Sequence, residues 1–469
     1  MDEPFNFVDP TGHPAGPNSD TTGQNGWTNL KRLGELAERA NWGWFREGWI
    51  RVQGAELTMA GPGTLDPVGG AARALPLQGV TVLDLGQIYN GPYATFLMAM
   101  SGARVIKIEP PEGENMRRRG AVSAGAMLPF AMLNSNKEFV SLNLKSDAGR
   151  EVFLRLAGKA DILVENFAPG VMDRLGVGPA RLLELNPRLV YAAGTGYGWT
   201  GPYRNYLAMD LTVQAMSGVM AATGFPDRPP VKSGAALCDF FGAVHLYGAA
   251  VAALFDAQRT GIGRFVEVAM LEAVYPTLSS PLGLYHGMGN RNPPRTGNRH
   301  AGLAESPYNV YPAKDGWVAM FCVSEAHFKG LAAAMEHPEL PADPRFVDLK
   351  ARVANMDALD ALIGAWSSNK TKAELLDLTT RHRVPSAPVR ELDEVVNDPH
   401  MHERGTLRRV SHPDLGAVVL PTGPLRYADS SPPEFSPSKP IGADSAAVLG
   451  DLLGITKDEY QALVAGRAT

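Results

Sequence analysis

Short runs rich in β-branched residues alternate with amphipathic segments through much of the sequence. The runs that predict strands are 80–86, 104–109, 139–144, 161–167 and 189–196. Segments 148–160 and 179–186 lie between such runs and carry apolar side chains at helical spacing. Because strands joined through helices generally run parallel, this alternation predicts an α/β fold with a large, doubly wound, Rossmann-like domain.

The pattern changes in the second half of the chain. A long apolar segment predicts a helix near 235–258 that ends at Gly261, since glycine readily adopts the left-handed conformation at helix ends. From about residue 290, Pro, Gly and Asn dominate, and a mixed region with two or three helical segments follows. We therefore expect a large domain in residues 77–285, a linker and smaller α+β domain in 286–400, and a return of residues 401–469 to the large domain.

Residues 1–76 differ from the rest of the chain. Pro, Gly, Asn and Asp dominate the start, to about residue 26, which predicts disorder. A Trp-rich segment follows at 27–57, and its residues Leu30, Leu33, Leu36 and Ala37 recur at helical spacing. These features predict an N-terminal extension with a helix docked on the main body.

Composition excludes several classes of protein. The chain has 44 basic and 49 acidic residues and a net charge of -5, which disfavours a general nucleic-acid-binding protein. Two cysteines, Cys238 and Cys322, form no disulfide framework and favour a reducing compartment. The sequence lacks the basic start and apolar run of a signal peptide, and no apolar run of about 18 residues predicts a membrane span. We therefore expect a cytoplasmic protein that acts without nucleic acid or a membrane.

Motifs for common cofactors are missing from the sequence. The turn after the first predicted strand has only Gly86 and Gly91, so it lacks the glycine fingerprint of an NAD site. No Walker A sequence or paired-cysteine metal motif occurs. His400 and His402 have no partner at ligand spacing, so we predict no metal site.

Five ordered motifs carry a resemblance to a known family. They are a KIEPPEGENMRRRG-like segment within 102–120, ENFAPGVMDRLG (165–176), QAMSGVMAATG (214–224), GFPDRPPVKSGAALCD (224–239) and GNRHAGLAESPYNVYPAKDGWV (297–318). From about residue 77 to 469 the chain resembles the class III CoA-transferases, the CaiB/BaiF-like family of formyl-CoA transferases, carnitine-CoA transferases and α-methylacyl-CoA racemases. The resemblance implies that CoA moves from an acyl-CoA to a small carboxylic acid, without a tightly bound cofactor, in an interlocked homodimer.

The resemblance also implies a nucleophile, Asp227. This residue lies on a loop framed by glycine and proline between two predicted helices. A carboxylate suits the reaction because its attack on a thioester gives a mixed anhydride, which CoA thiolate opens to an aspartyl-CoA thioester. Alternatively, Asp227 only serves the turn, as aspartate beside proline-rich sequence often does.

Several residues match the family's CoA site. Asn166, Phe167 and Arg174 match positions that contact CoA, and Arg117 matches an arginine near the nucleotide. Tyr89, which stands where some relatives have glutamine, is also assigned to this site. A strand end followed by a helix start suits a diphosphate, since the helix dipole favours an anion. Arg117 belongs to a run of three arginines for which a solvated turn is the alternative.

A glycine-rich loop and two aromatic residues bear on catalysis and substrate choice. In the family such a loop closes over the active aspartate, and Gly287 and Gly289 match it; a plain interdomain linker is the alternative. Trp199 stands where oxalate-specific relatives carry glutamate, which puts formate and oxalate in doubt. Tyr89 and Trp199 together favour a mid-sized organic acid.

Two other functions stay open. The family's racemases use a histidine and an aspartate, but here Met209 takes the histidine's place and only Asp239 is kept. A two-base racemase is therefore disfavoured, and Asp210 and Asp239 are expected mainly to orient backbone or cap helices. The third hypothesis is a non-catalytic CoA-binding protein whose Trp-rich extension recruits a partner.

Overall fold

The computed structural model describes residues 50–53, 56–59, 73–123 and 125–469. Two short strands, β1 (Ile50–Gln53) and β2 (Glu56–Met59), pair antiparallel within the Trp-rich segment. These two strands were not predicted, although apolar and polar residues alternate in both. The start of the chain and the predicted helix around Leu30–Ala37 lie outside the described residues.

Six parallel strands form the central sheet, in the order β5-β4-β3-β6-β7-β8. They are β3 Thr81–Asp84, β4 Arg104–Glu109, β5 Lys137–Ser141, β6 Ile162–Glu165, β7 Val190–Thr195 and β8 Phe265–Ala269. The sheet confirms the α/β fold class, and five of its strands coincide with predicted runs. The sixth, β8, was missed because its five residues follow closely on a long helix.

Helices cover both faces of this sheet. Among the described residues from 73 to 290 they are α1 Asn90–Met100, α2 Asn115–Arg118, α3 Leu128–Asn134, α4 Asp147–Ala157, α5 Val171–Arg174, α6 Pro179–Leu185, α7 Asp210–Ser217, α8 Val219–Ala222, α9 Leu237–Thr260, α10 Met270–Val274 and α11 Ser279–Gly287. Val152 and Phe153 of α4 belong to the buried core on one face, whereas Ala94 of α1 and Leu246 of α9 belong to the core on the other. Apolar side chains on alternate strand positions supply the partners of both layers.

The long helix α9 is the helix predicted near 235–258. It ends at Gly261, whose φ of 77° is left-handed as expected. By length and composition α9 is apolar enough to cross a membrane, so the expectation that no segment meets this test was wrong. However, Ala243, Leu246 and Ala250 are fully buried against the sheet, and this packing is that of a core helix.

Residues 308–388 build a second, three-stranded antiparallel sheet with its own hydrophobic core. Its strands are β9 Tyr308–Ala313, β10 Gly316–Phe321 and β11 Ser386–Pro388, and its helices are α12 Glu325–Ala334, α13 Leu349–Ala354, α14 Met356–Ser367 and α15 Lys372–Arg381. Phe328 of α12 and Leu359 of α14 are buried in this core. Residues 74–427 and 431–469 form one compact unit, and the finer division into domains stays a prediction.

The last part of the chain packs on the central sheet. It contains α16 Leu392–Val396, α17 Pro399–Glu403, the hairpin β12 Leu407–His412 and β13 Gly416–Pro421, α18 Ser445–Leu453 and α19 Lys457–Ala465. Val448 and Leu449 of α18 are fully buried in the same core as Val152 and Phe153. The end of α19 therefore lies near the sheet edge formed by β5, where Asn143 N donates to Ala468 O at 2.8 Å.

Candidate active site

Strands β3 and β6 are neighbours in the central sheet, and the strand order runs outward from this pair in both directions. Loops at the carboxyl ends of two such strands open a crevice, the usual ligand position in open α/β sheets. Asn166, directly after β6, spans this crevice. Its Oδ1 accepts a hydrogen bond from Gln87 N at 2.7 Å, and its Nδ2 donates to Gln87 O at 2.9 Å. The predicted CoA residue Asn166 therefore holds the turn after β3 in place.

Buried charges support the same turn from below. Asp84 Oδ1 accepts a hydrogen bond from Gly86 N at 2.7 Å, and Lys107 Nζ donates to Gly86 O at 2.8 Å. Asp84 Oδ2 accepts bonds at 2.8 Å from both Lys137 Nζ and Thr95 Oγ1. Burial raises the pKa of Asp84, but the charges of Lys137 and Lys107 outweigh it and hold that pKa below its usual value. The turn thus rests on a carboxylate whose lowered pKa favours its ionised form.

A cavity of about 570 Å³ lies at the carboxyl ends of β3, β4 and β5. Gly86 and Phe167 line the end next to the crevice, whereas Asn143, Lys145 and Arg467 line the end at the sheet edge. This volume is in the range of small-molecule sites. The cavity therefore offers an elongated ligand a path from the sheet edge to the crevice.

Asp239 is a buried carboxylate in the first turn of α9. It is 7% exposed, and no hydrogen bond reaches its carboxylate oxygens from the described residues. Burial, followed by the negative charge of Asp210, raises the pKa of Asp239 to about 7. Carboxylates perturbed in this way cluster at functional sites. The expectation that Asp239 mainly caps a helix has no support in its contacts.

Asp210 is the residue that caps α9. It is the first residue of α7, and its Oδ1 accepts hydrogen bonds from Cys238 N at 2.8 Å and from Asp239 N at 3.4 Å. Its Oδ2 accepts a bond from Gln214 Nε2 at 2.6 Å. Asp210 thus joins the starts of two helices as a cap does. Because Asp210 accepts from these backbone N–H groups, the Asp239 side chain is not needed to cap the helix.

Asn90 links the turn after β3 to Asp239. Its Nδ2 donates to Asp239 O at 3.2 Å, whereas its buried Oδ1 has no partner in the described part of the chain. Gly194 of β7 and Gly242 of α9 face this amide, and a Cβ on either glycine would overlap it. Sequence reasoning missed Asn90. The signal was two glycines inside a strand and a helix, where glycine often marks a close approach of another group.

Three further residues predicted to bind CoA differ in where the structure places them. The ring of Tyr89 stacks on that of Phe240, next to Asp239, with centroids 6.0 Å apart. Phe167 lines the cavity, and its N–H donates to buried Glu165 at 2.6 Å. Arg174 is the last residue of α5 and is exposed. The structure thus brings Tyr89 close to Asp239 and places Phe167 in the cavity wall.

Arg117 is engaged inside the protein. Its Nε and Nη2 donate to the two carboxylate oxygens of Glu109 at 2.8 and 2.7 Å, and Nη2 also donates to Lys439 O. The guanidinium lies 4.1 Å from the centre of the Phe130 ring. Arg117 does not line the cavity. Its contacts are those of a structural ion pair, and they give its predicted role at the nucleotide no support.

Asp227 occupies a different kind of position from Asp239. Its side chain is 74% exposed, and its charged neighbour is Arg228, at 3.6 Å. It does not line the described cavity. An exposed carboxylate beside an arginine keeps its water and has no special reactivity from its surroundings. The nucleophilic role of Asp227 stays a prediction. Asp239 is the carboxylate that the protein buries and whose pKa its surroundings raise.

The two predicted loop glycines also have ordinary helix-end positions. Gly287 is the last residue of α11, and Gly289, with a φ of 68°, donates its N–H to His286 O at 3.0 Å. That bond occupies the N–H that an oxyanion would need. Within the described residues, no three His, Cys, Asp or Glu side chains lie together as a possible metal site. His402, one of the two histidines considered above, has its Nε2 2.9 Å from Val396 O.

Comparison with known proteins identifies the family. Residues 77–445 match the model of CoA-transferase family III. The chain is 39% identical to an acetyl-CoA:oxalate CoA-transferase from Acetobacter aceti, over 80% of this chain and 95% of the relative. It is 35% identical to a succinyl-CoA–D-citramalate CoA-transferase from Chloroflexus aurantiacus, over 84% and 98%.

A solved structure agrees with the sequence relatives. A CaiB/BaiF family protein from Brucella suis superposes with a TM-score of 0.71 and 31% identity, over 81% of this chain and 100% of that protein. Family, relatives and fold therefore agree with the resemblance carried by the five motifs. The chain belongs to CoA-transferase family III and is a CoA-transferase.

Proposed function

We propose that this enzyme transfers CoA from an acyl-CoA to a carboxylic acid with Asp239 as the nucleophile. The observation that supports Asp239 is its burial, at 7% exposure, without a hydrogen bond to its carboxylate from the described residues. A carboxylate with little solvent contact is more nucleophilic than one that bulk water or an arginine solvates. Asp227, which is exposed beside Arg228, has neither property.

The reaction proceeds in four displacements. The Asp239 carboxylate attacks the acyl carbonyl, the carbon–sulfur bond breaks, and CoA leaves as a thiolate from a mixed anhydride. The thiolate then attacks the aspartyl carbonyl, which gives an aspartyl-CoA thioester and releases the donor acid as a carboxylate. The acceptor carboxylate attacks this thioester, and the released thiolate finally takes the acceptor's acyl group and regenerates Asp239. Each step balances without an external oxidant, reductant or proton donor.

The contacts around Asp239 suit these displacements. The raised pKa, at about 7, keeps the carboxylate partly ionised at neutral pH while it remains reactive. Asn90 and Tyr89 connect the turn after β3 to the start of α9, and Asn166 fixes that turn. With Phe167 in the wall, the cavity can direct the pantetheine arm of CoA toward the crevice.

The acceptor that we propose is a mid-sized dicarboxylic acid. One relative is named for oxalate and another for D-citramalate, and both compounds are dicarboxylates. In this chain Trp199 packs edge-on against Phe265 with centroids 4.9 Å apart, and its indole N–H is buried without a partner in the described residues. Oxalate is one acceptor to test, because a relative with 39% identity is named for it. Trp199, however, stands where oxalate-specific relatives carry glutamate.

We propose that the enzyme is a homodimer, with a second copy of the chain as its partner, and that it is located in the cytoplasm. Helix α9 leaves large side chains exposed, with Phe241 at 38%, Val244 at 48% and Phe255 at 61% exposure. Exposed apolar side chains of this size on a core helix favour an interface between copies. Light scattering after size exclusion measures the mass, and a monomer at micromolar concentration would contradict the homodimer.

The test of the nucleophile is adduct mapping. The enzyme is incubated with acetyl-, formyl- or succinyl-CoA and treated with hydroxylamine, which converts an activated aspartyl carbonyl to a hydroxamate that peptide mass spectrometry locates. We expect the hydroxamate on Asp239, no hydroxamate in Asp239→Ala, and an unchanged yield in the matched variant Asp227→Ala. Retained CoA binding by Asp239→Ala shows that this variant is folded. A hydroxamate on Asp227 would overturn the assignment.

A further inference from the structure

We propose that the segment Gly466–Thr469, which follows α19, forms the nucleotide end of the CoA site, and that Arg467 binds a phosphate group of CoA. The inference rests on the proposed function, because it assumes that the cavity holds CoA. It adds a contact from a part of the chain that none of the five sequence motifs includes. Four observations about Arg467 and its neighbours support it.

The first observation concerns charge. Lys145, after β5, and Arg467, after α19, both line the cavity at the sheet edge, and both are exposed. In the described part of the chain, neither side chain forms an ion pair with a carboxylate. The nearby cations Lys107 and Arg117 differ, since each already neutralises a buried glutamate. Lys145 and Arg467 are therefore the cations at this cavity with charge available for an anion.

The acidic groups of the cavity leave these two cations unpaired. Glu109 and Glu114 line the cavity but are paired with Arg117 and Lys107, respectively. Glu112 and Thr469 also line it; Glu112 is exposed to solvent, and Thr469, the last residue of the sequence, carries an α-carboxylate. Neither group forms an ion pair with Lys145 or Arg467 within the described residues, so both cations remain available to a phosphate.

The second observation is the backbone of Arg467. Its φ is 54°, in the left-handed region, whereas the preceding Gly466 has an ordinary φ of −77°. Glycine would adopt the conformation of residue 467 without strain, but an arginine pays a conformational cost there. This left-handed residue ends α19, where Arg467 N donates to Val464 O at 3.0 Å and Ala468 N donates to Leu463 O at 2.9 Å. These bonds fix the backbone from which the Arg467 side chain extends.

The third observation is that the segment is fixed to the loop after β5. Asn143 N donates to Ala468 O at 2.8 Å, and Asn143 Nδ2 donates to Arg467 O at 3.2 Å. The Ala468 side chain is fully buried, which holds the segment against the protein. Because Asn143 lies two residues before Lys145, these bonds keep both cations at one end of the cavity.

The fourth observation is the direction of the site. Helix α9, with Asp239, packs against β7 and β8, whereas Lys145 and Arg467 lie beyond β5. In the sheet order β5 and β7 are four strands apart, a separation of about 19 Å at about 4.8 Å per strand. CoA carries its phosphates at one end and its thiol at the other. Phosphates held at the sheet edge therefore leave the thioester free to reach Asp239.

Calorimetric titration of the whole enzyme with CoA tests the inference without turnover. We expect Arg467→Met to weaken CoA binding by about tenfold, as the loss of a charge-assisted bond to phosphate does, and Arg467→Lys to recover part of it. The matched control is Arg188→Met, which removes an exposed arginine at the opposite, amino-terminal edge of the sheet. Arg188→Met should bind CoA as the wild type does.

Arg467→Gly separates binding from folding. Glycine relieves the left-handed backbone, so this variant should unfold at the same or a higher denaturant concentration than the wild type while it binds CoA more weakly. A merely structural arginine would change both quantities in the same direction. Titration with 3′-dephospho-CoA identifies the phosphate: if Arg467→Met no longer weakens binding, the contact is to the 3′-phosphate, and an undiminished effect assigns it to the diphosphate.

Two outcomes would overturn the inference, and they differ in what else they affect. If the wild type binds CoA and the Arg467 variants bind it equally well over a range of salt concentrations, Arg467 makes no phosphate contact, and the proposed function is untouched. If the wild type does not bind CoA, the proposed function and this inference fail together. CoA binding that depends on Arg467 in a protein without transferase activity would support the inference and overturn only the proposed function.

Discussion

Lys137 Nζ lies 2.8 Å from Asp84 Oδ2, and both side chains are fully buried beneath the turn that carries Gly86. Removing one member of such a pair leaves an uncompensated buried charge. We expect Lys137→Met to lower the free energy of unfolding by about 3 to 5 kcal/mol. Lys159→Met, on an exposed lysine, is the control and should change it by less than about 0.5 kcal/mol.

A second substitution tests whether the charge itself is responsible. Asp84→Asn keeps an oxygen to accept from Gly86 N, so the double variant Asp84→Asn/Lys137→Met should be more stable than Lys137→Met alone. Urea denaturation measures all four proteins. If the double variant is the less stable of the two, packing rather than charge pairing explains the loss.

The stability of the enzyme should depend on pH through Asp239. Its pKa rises from 3.8 in the unfolded chain to about 7 in the folded one, so protonation favours the folded state. This contribution is fully present below pH 3.8 and is lost as pH rises through about 7. Asp239→Asn cannot ionise, and it should therefore stabilise the protein at pH 8 by up to a few kcal/mol, at about 1.4 kcal/mol per pKa unit.

Denaturation of the wild type and Asp239→Asn at pH 5 and pH 8 checks this prediction. The advantage of the variant should be larger at pH 8 than at pH 5, and its transferase activity should be lost. Asp227→Asn is the matched control, because Asp227 is exposed and should affect neither quantity. An equal effect of Asp239→Asn at the two pH values would contradict the raised pKa.

Gly242 of α9 and Gly283 of α11 should respond in opposite ways to alanine. A Cβ on Gly242 would overlap the Asn90 amide, whereas a Cβ on Gly283 meets open space. Gly242→Ala should therefore lose most activity and about 1 to 3 kcal/mol of stability, as overpacked sites do. Gly283→Ala should retain activity and gain about 0.5 to 1 kcal/mol from helix propensity. Thermal denaturation and the CoA-transfer rate measure both, and a fully active Gly242→Ala would argue against the tight contact.

Asn166→Ala should reduce stability and CoA binding together. The substitution removes both hydrogen bonds to Gln87, at about 1 kcal/mol each, and releases the turn beside the cavity. Asn186→Ala is the control. Asn186 Nδ2 donates to Ala157 O and Ala160 O, both at 2.9 Å, and the residue lies before the amino end of β7, away from the crevice. It should lose similar stability and keep its CoA affinity. Equal CoA affinity in both variants, measured by calorimetry, would show that Asn166 is only structural.

Much of the large domain was predictable because its signals are local. The runs at 104–109 and 189–196 carry the β-branched residues typical of strands, and Gly261 ends α9 as the sequence indicated. The edge strand β8 and the strands within the Trp-rich segment were missed, since short runs beside stronger helical patterns are ambiguous. Asn166 and Phe167 were assigned to the CoA site by the family resemblance, and their position directly after a strand end places them at the crevice.

The sequence alone did not distinguish Asp227 from Asp239 as the nucleophile, although both belong to one motif and lie twelve residues apart. By itself the sequence determined the family, the alternation of strands and helices, and the absence of common cofactor motifs, because these depend on residue type and spacing. Only the tertiary structure decided which of the two carboxylates is buried, which cations have no ion-pair partner in the described residues, and that Arg467 lines the same cavity as Lys145. Burial and charge pairing arise from residues distant in the chain, and no local pattern encodes them.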